Sequence, residues 1–495
     1  MPAPLEYLSD EWTDTDAEIN SGNFSDICSN NGYDDDSIEG SDAGSEAGSD
    51  DGSDDDSDDG GLDREIFGPL LDIGEDSILA LATRIAQDVL HIAPDNAELL
   101  DTLSGSYNIV HIVQVEDLKL VIRIPATGWG DGMTKDASDA LASQVTTMRF
   151  IREKTRAPVP EVYNWDPTIN NEISAPFICM SFVPGETVSS VWFNESIDTE
   201  AREQLRLNIL TSLSVIMAKF SSLSFDKMGS IKQAEDGTIS IGPLYEWDEN
   251  EDGSLHAKAV RTYFSTDEYL ACNMQTRTDD SVWDRAEAKM IEAILEHSSF
   301  LHSHSRFVLT PPDFDSQNIL VDEEGNVTGL IGWDHCQTEP PQLGYAAYPG
   351  WITKDWDPLM YGWPYEQDFE DSPETLQRYR EHYNKEMCKA LSGHEDMSLT
   401  KDSHIAEAAF MGALNNMTRL DICRKFVEVA LNLDQDDARG VLLDIGDGDY
   451  DKGKWDVLKD KLKALVCPPA TTSQTVERSG IVDKGALGID TYSFL

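Results

Sequence analysis

The alternation of apolar and polar positions divides this chain into stretches of different character. Up to about residue 65 Asp, Ser and Gly dominate. Such a segment buries too little apolar surface to offset its ordering entropy, so residues 1–65 are expected to be disordered. The pattern then turns globular. Residues 75–104 predict helical segments leading into a β-rich stretch. The β-branched runs 109–115 and 118–124 meet at Glu116-Asp117, which predicts a hairpin. A loop bearing Gly128, Gly130 and Gly132 follows. Next, Leu141, Val145, Met148 and Ile151 recur at helical spacing until Pro158-Val159-Pro160 ends the element. Residues 175–183 read as one more apolar strand, closed by Pro184-Gly185.

Beyond about 186 the periodicity is mainly helical. Asp198 or Thr199 can cap a helix carrying Leu205, Ile209, Leu213, Ile216 and Phe220 on one face. Helices also fit 284–300, 372–391, 403–415, 418–433 and 454–466. Inside this helical part, 319–321 and 327–331 form a strand–turn–strand, and residues 467–495 read as a loose tail. The order predicts an α+β, bilobal molecule. Its small β-rich N-lobe with hinge spans 66–185, and its larger, mainly helical C-lobe with a β-hairpin spans 186–466.

Charge sharpens this picture. The net charge is −56 over 495 residues, and the first 64 residues hold 21 acidic residues and a single basic one, Arg64. An acidic surface keeps a chain soluble and repels nucleic acid and anionic lipid heads, so neither is expected as a partner. The acidic arm reads either as a solubilising tail or as a phosphorylatable docking arm for basic proteins, with Ser53 followed by three Asp residues. Seven scattered cysteines without CxxC spacing argue against a disulfide framework. Neither a signal-like N-terminus nor a ~20-residue apolar run is present, so a soluble, cytoplasmic protein is expected.

The candidate chemistry is concentrated at 309–334. Asp313, Asn318 five residues later, the apolar strand 319–321, the turn Asp322-Glu323-Glu324-Gly325-Asn326 and a second strand together outline a kinase-type catalytic hairpin. There the Asp accepts the substrate hydroxyl's proton and the Asn holds magnesium. Upstream, Gly105 and Ser106 precede the first long β-branched run and read as a phosphate-approaching loop or as an ordinary turn. Arg123 sits in Val-Ile-Arg-Ile-Pro, where kinases place the strand cation that pairs with phosphates, or else points to solvent.

These residues closely resemble the aminoglycoside phosphotransferase family, of protein-kinase-like fold, over about 75–465. The resemblance rests on the Gly105 loop, the Arg123 strand, Thr147-Met148-Arg149-Phe150-Ile151, Ala157-Pro158-Val159-Pro160, and Ser224-Phe225-Asp226-Lys227-Met228-Gly229-Ser230. It continues through the catalytic hairpin to Tyr348-Pro349-Gly350-Trp351 and Asp355-Trp356-Asp357-Pro358. It implies ATP and Mg²⁺ as cofactors and a small-molecule hydroxyl as acceptor. Asp313 is implied as catalytic, and Gly105, Ser106, Arg123, Gln144, Met180 and Phe182 as nucleotide-binding. Asn318 is implied as a metal ligand. Three positions depart from the family pattern: Pro311 replaces a His, Gln144 an acidic residue, and Gly332 the metal-binding Asp. Asp334, two residues on, is the candidate replacement ligand. Two functions follow: an ATP-dependent phosphotransferase with impaired catalysis, or a degenerate kinase fold that works as a binding or scaffold protein.

Overall fold

The computed structural model describes residues 64–249, 255–274, 281–298, 306–365 and 370–467. The acidic arm, apart from its last residues, and the tail after Cys467 lie outside the described residues. Strands β1 (Ala97–Ser104), β2 (Asn108–Val115), β3 (Leu118–Pro125), β4 (Val162–Asp166) and β5 (Phe177–Ser181) form one antiparallel sheet in the order β1-β2-β3-β5-β4. Alternation along β3 decides its two faces. Leu120, Ile122 and Ile124 are fully buried against Ile78, Leu81 and Ile85 of helix α1 (Glu75–Asp88). Val121 and Arg123, between them, point the other way.

That second face meets α2 (Lys135–Thr155). Thr134 caps it by accepting the Ala137 amide, and Arg156 ends it in the left-handed conformation. Leu141, Val145, Met148 and Ile151 join Met180 in a core that continues into the helical part, through Trp192, Leu213, Tyr379 and Tyr383. One apolar core therefore spans the hinge.

The helical part contains α3 (Val188–Trp192), α4 (Thr199–Ala218) and the helices Thr266–Asn273, Val282–Leu295, Pro373–Ala390, Ser403–Leu414, Arg419–Leu431, Gln435–Asp447 and Lys452–Val466. Asp198 caps α4, accepting from the Glu200 and Ala201 amides. The 435–447 helix was not anticipated, because its acidic, Gly-bearing sequence weakens the helical signal. Asp434 caps it, Leu442 and Ile445 are buried, and Gly446 lets it lie directly on the Val282 carbonyl. The stretch 231–259, within the part expected to be mainly helical, forms two hairpins instead. They are Ile231–Gln233 with Ile239–Ile241, and Tyr245–Glu249 with Leu255–Ala259. Asp236-Gly237 makes the first turn, with Gly237 at φ +84°. Among the described residues no helix is long and apolar enough to cross a membrane.

A buried ion pair anchors the loop after the catalytic hairpin. Arg380 donates to both oxygens of Asp355 and to the Ile352 carbonyl, with the two side chains 8% and 6% exposed. Removing one partner strands a charge in a low-dielectric site, at a cost of about 3–5 kcal/mol. Arg380→Met is therefore expected to lower unfolding stability by about that amount, read as a fall in the urea midpoint at unchanged slope.

Candidate active site

Ile319–Val321 pairs antiparallel with Val327–Leu330, and its other edge pairs with Glu186–Thr187 next to the hinge. The turn is built by Asp322, whose carboxylate accepts from the Glu324 and Asn326 amides and from Asn326 Nδ2, with Gly325 at φ +83°. This hairpin fixes the loop before it. Asp313 Oδ2 accepts from Asn318 Nδ2 at 2.6 Å and Gln317 Nε2 at 2.8 Å. Burial pushes the Asp313 carboxyl above the usual carboxylate range, and these two donors offset part of the shift. A carboxylate so held is suited to accept a proton.

The Ile331 amide donates to the Asn318 carbonyl, which brings Gly332 alongside Asn318. Gly332 has φ +71°, and a Cβ there would lie 2.5 Å from Asn318 Oδ1. The Asn318 side chain thus fills the space that a side chain at 332 would need. It points toward Asp313 instead of presenting both its polar atoms to an open site.

Asp334 is committed elsewhere. Arg123 Nη1 donates to Asp334 Oδ1 at 2.8 Å and Nη2 donates to Oδ2, a bidentate pair across 211 residues. The two side chains are 15% and 21% exposed. Burial pushes the Asp334 carboxyl up, but the Arg123 guanidinium outweighs it and holds the carboxyl below its ordinary value. The cation expected for phosphate and the carboxylate expected to replace a metal ligand therefore neutralise one another. Gln144 is buried nearby and makes no hydrogen bond to Arg123.

Three aromatic rings stack beside this pair. Tyr107, at the end of the Gly105 loop, stacks on Trp247 with centroids 4.6 Å apart. Trp247 stacks on His335 at 4.1 Å. The hairpin carrying Trp247 is held against α2 by the Ala259 amide, which donates to Asp136, and by Tyr245 and Ala257 packing on Ala140. Burial lowers the His335 imidazole to about 4, so it is neutral at physiological pH. The space left between Gln144, Asp334, His335 and Trp247 is a cavity of about 30 Å³, room for one or two water molecules. Sequence reasoning missed Trp247 and His335. The Tyr-x-Trp alternation of 245–247 was the available signal for the first, and nothing local marked the second.

Gly105 donates to the Asn108 carbonyl in a turn, and Ser106 is exposed. Met180 is buried in the shared core. Phe182 carries the Lys119 ammonium 5.0 Å over its ring. The Ser181 and Phe182 amides are already spent on the Glu161 and Lys119 carbonyls.

On the other side of the catalytic loop, carboxylates from distant segments approach one another. Burial raises Glu339 to about 7. Burial also raises Glu407, to about 8, reinforced by repulsion from Glu339, Asp357 and Asp315. An acidic enclosure beside Asp315, two residues from Asp313, was not legible in a sequence where acidic residues are everywhere.

The model of the phosphotransferase enzyme family, APH, matches residues 104–362, just over half of the chain. The chain belongs to this family. The match runs from the Gly105 loop through the catalytic hairpin to Gly362, and the α+β kinase-like fold agrees with it. Among curated relatives, Altered inheritance of mitochondria protein 9, mitochondrial, from Meyerozyma guilliermondii is 28% identical over 245 residues, covering 48% of this chain and 39% of the relative. The Clavispora lusitaniae protein of that name is 24% identical, covering 44% and 35%. Clavilactone A biosynthesis cluster protein Y from Ampulloclitocybe clavipes is 25% identical, covering 43% and 53%. The matches thus span about a third to a half of these relatives' length. Among solved structures, aminoglycoside phosphotransferase APH(4)-Ia aligns over 79% of this chain and 98% of its own, at 15% identity and TM-score 0.38. A phosphotransferase described as putative, from Ralstonia eutropha, aligns over 79% and 98%, at 13% identity and TM-score 0.41. Overlaps this loose add nothing to the family assignment.

Two outcomes follow. Gly332→Ala places a Cβ at a left-handed residue against Asn318, and is expected to cost about 1–2 kcal/mol, read as a lower melting temperature. For Glu339 and Glu407 the folded state holds protons that the unfolded chain releases near its ordinary value of 4.5. Their contribution is thus fully present below about 4.5 and is lost as pH rises through 7–8. Melting temperature should fall between pH 5 and pH 8, and Glu407→Gln should flatten that fall.

Proposed function

We propose that this chain is a phosphotransferase-family protein whose phosphoryl-transfer centre is incomplete, and that it works by binding rather than by turning over ATP. The observation that carries this reading is the bidentate Arg123–Asp334 pair beside a carboxylate-free Gly332. ATP and Mg²⁺ are the cofactors that family membership implies, and the residues present do not fit them. Asn318 is turned onto Asp313, and Asp334 is turned onto Arg123. A metal acting as Lewis acid contributes several kcal/mol to such a transition state, and ~4 kcal/mol is about a thousandfold in rate.

A second reading keeps the enzyme. The assembled Asp313–Asn318–Gln317 network and the raised Asp313 carboxyl favour a retained base acting on a small-molecule hydroxyl. In either case the −56 net charge disfavours nucleic acid as a partner. The acidic arm is the segment we propose for contact with basic proteins.

Calorimetric titration of the full chain with MgATP tests the choice. The expected result is no saturable heat at millimolar nucleotide and no ADP release. ATP turnover by the unaltered chain that Asp313→Ala abolishes would establish the second reading instead.

A further inference from the structure

Two lobes joined at a hinge can open and close around the cleft between them. In this molecule the hairpin 245–259 ties them together a second time. Its root sits in the core of the helical part. Leu244, 1% exposed, shares that core with Met228, Tyr263 and Phe426, and the Val260 amide donates to the Leu244 carbonyl at 2.8 Å.

The body of the hairpin lies on the other lobe. Tyr245 and Trp247 alternate onto one face of its first strand, opposite Ala259 and Ala257 on the second. Glu246 and Lys258, between them, are exposed. Tyr245 and Ala257 pack with Ala140 of α2, flanked by Ala137 and Ala259. Such small side chains let the strand approach the helix closely, and the Ala259 amide donates to Asp136 Oδ2 at 2.9 Å. Leu255 packs on the core of the small lobe. Its carbonyl lies so near Gly132 that a Cβ there would be 2.4 Å away.

Trp247 carries the tie to the cleft itself. Its indole stacks on Tyr107, in the Gly105 loop of the small lobe, at 4.6 Å and 9° between planes. It also stacks on His335, in the segment after the catalytic hairpin, at 4.1 Å and 27°. One side chain thus touches both walls, next to the Arg123–Asp334 pair.

We propose that the 245–259 hairpin is an autoinhibitory latch across the interlobe cleft. Trp247 is its key: it couples the Gly105 loop to the 334–335 segment, so the loop lifts only when the hairpin does. A ligand or partner that enters between the lobes must first release this contact. The latch goes beyond the reading above and does not depend on whether Asp313 is active.

Hydrogen exchange of the full chain, followed by mass spectrometry, tests the coupling. In Trp247→Ala, segment 104–110 should exchange about tenfold faster, equivalent to ~1.4 kcal/mol of lost protection, although it lies more than a hundred residues from the substitution. The 419–431 helix, in the core of the helical part, should exchange as before. Tyr107→Ala, at a half-buried position, is the reciprocal variant and serves if Trp247→Ala fails to fold. It should quicken exchange in 245–249 and 255–259 by a similar factor, because coupling between two segments acts equally in both directions. Unchanged exchange of 104–110 in folded Trp247→Ala, unchanged exchange of the hairpin in Tyr107→Ala, or a rise as large in 419–431 as in 104–110 would each overturn the inference.

Discussion

The Arg123–Asp334 ion pair ties the sheet of the small lobe to the segment just past the catalytic hairpin. Its two members lie 211 residues apart, one on β3 and one beyond the second hairpin strand. A bidentate guanidinium–carboxylate contact fixes both side chains in orientation as well as charge. With it in place, the cleft has no spare cation for a phosphate and no spare carboxylate for a metal at these two positions. The aromatic stack of Tyr107, Trp247 and His335 rests beside the pair.

Much of the architecture was legible because it is written locally. The β-branched runs on either side of Glu116-Asp117 form β2 and β3, and the Leu141–Ile151 periodicity forms α2. The Asp313–Asn318 spacing forms a hydrogen-bonded loop whose geometry follows from the hairpin behind it. The 435–447 helix was not legible, since it draws its stability from a cap and from close packing on the 282–295 helix through Gly446. The Trp247 hairpin was not legible either. Two short strands bounded by polar residues give little pattern of their own, and their position comes from Asp136 and Ala140 on a helix more than a hundred residues earlier.

The site was legible in its parts but not in its pairings. Arg123, Gln144 and Asp334 could each be singled out from their sequence context. What each side chain touches is set by long-range geometry, and sequence spacing carries no information about it. The same limit hid the enclosure around Glu339 and Glu407, where burial raises two carboxyls that look ordinary in an acidic sequence.

A double-mutant cycle on Arg123→Met and Asp334→Asn, read as unfolding free energy, tests the constraint on which the rest depends. The account predicts that the two substitutions are strongly non-additive, with a coupling of about 1 kcal/mol or more. Additive effects would mean that the guanidinium and the carboxylate do not hold one another, and that both remain available to a nucleotide and its metal.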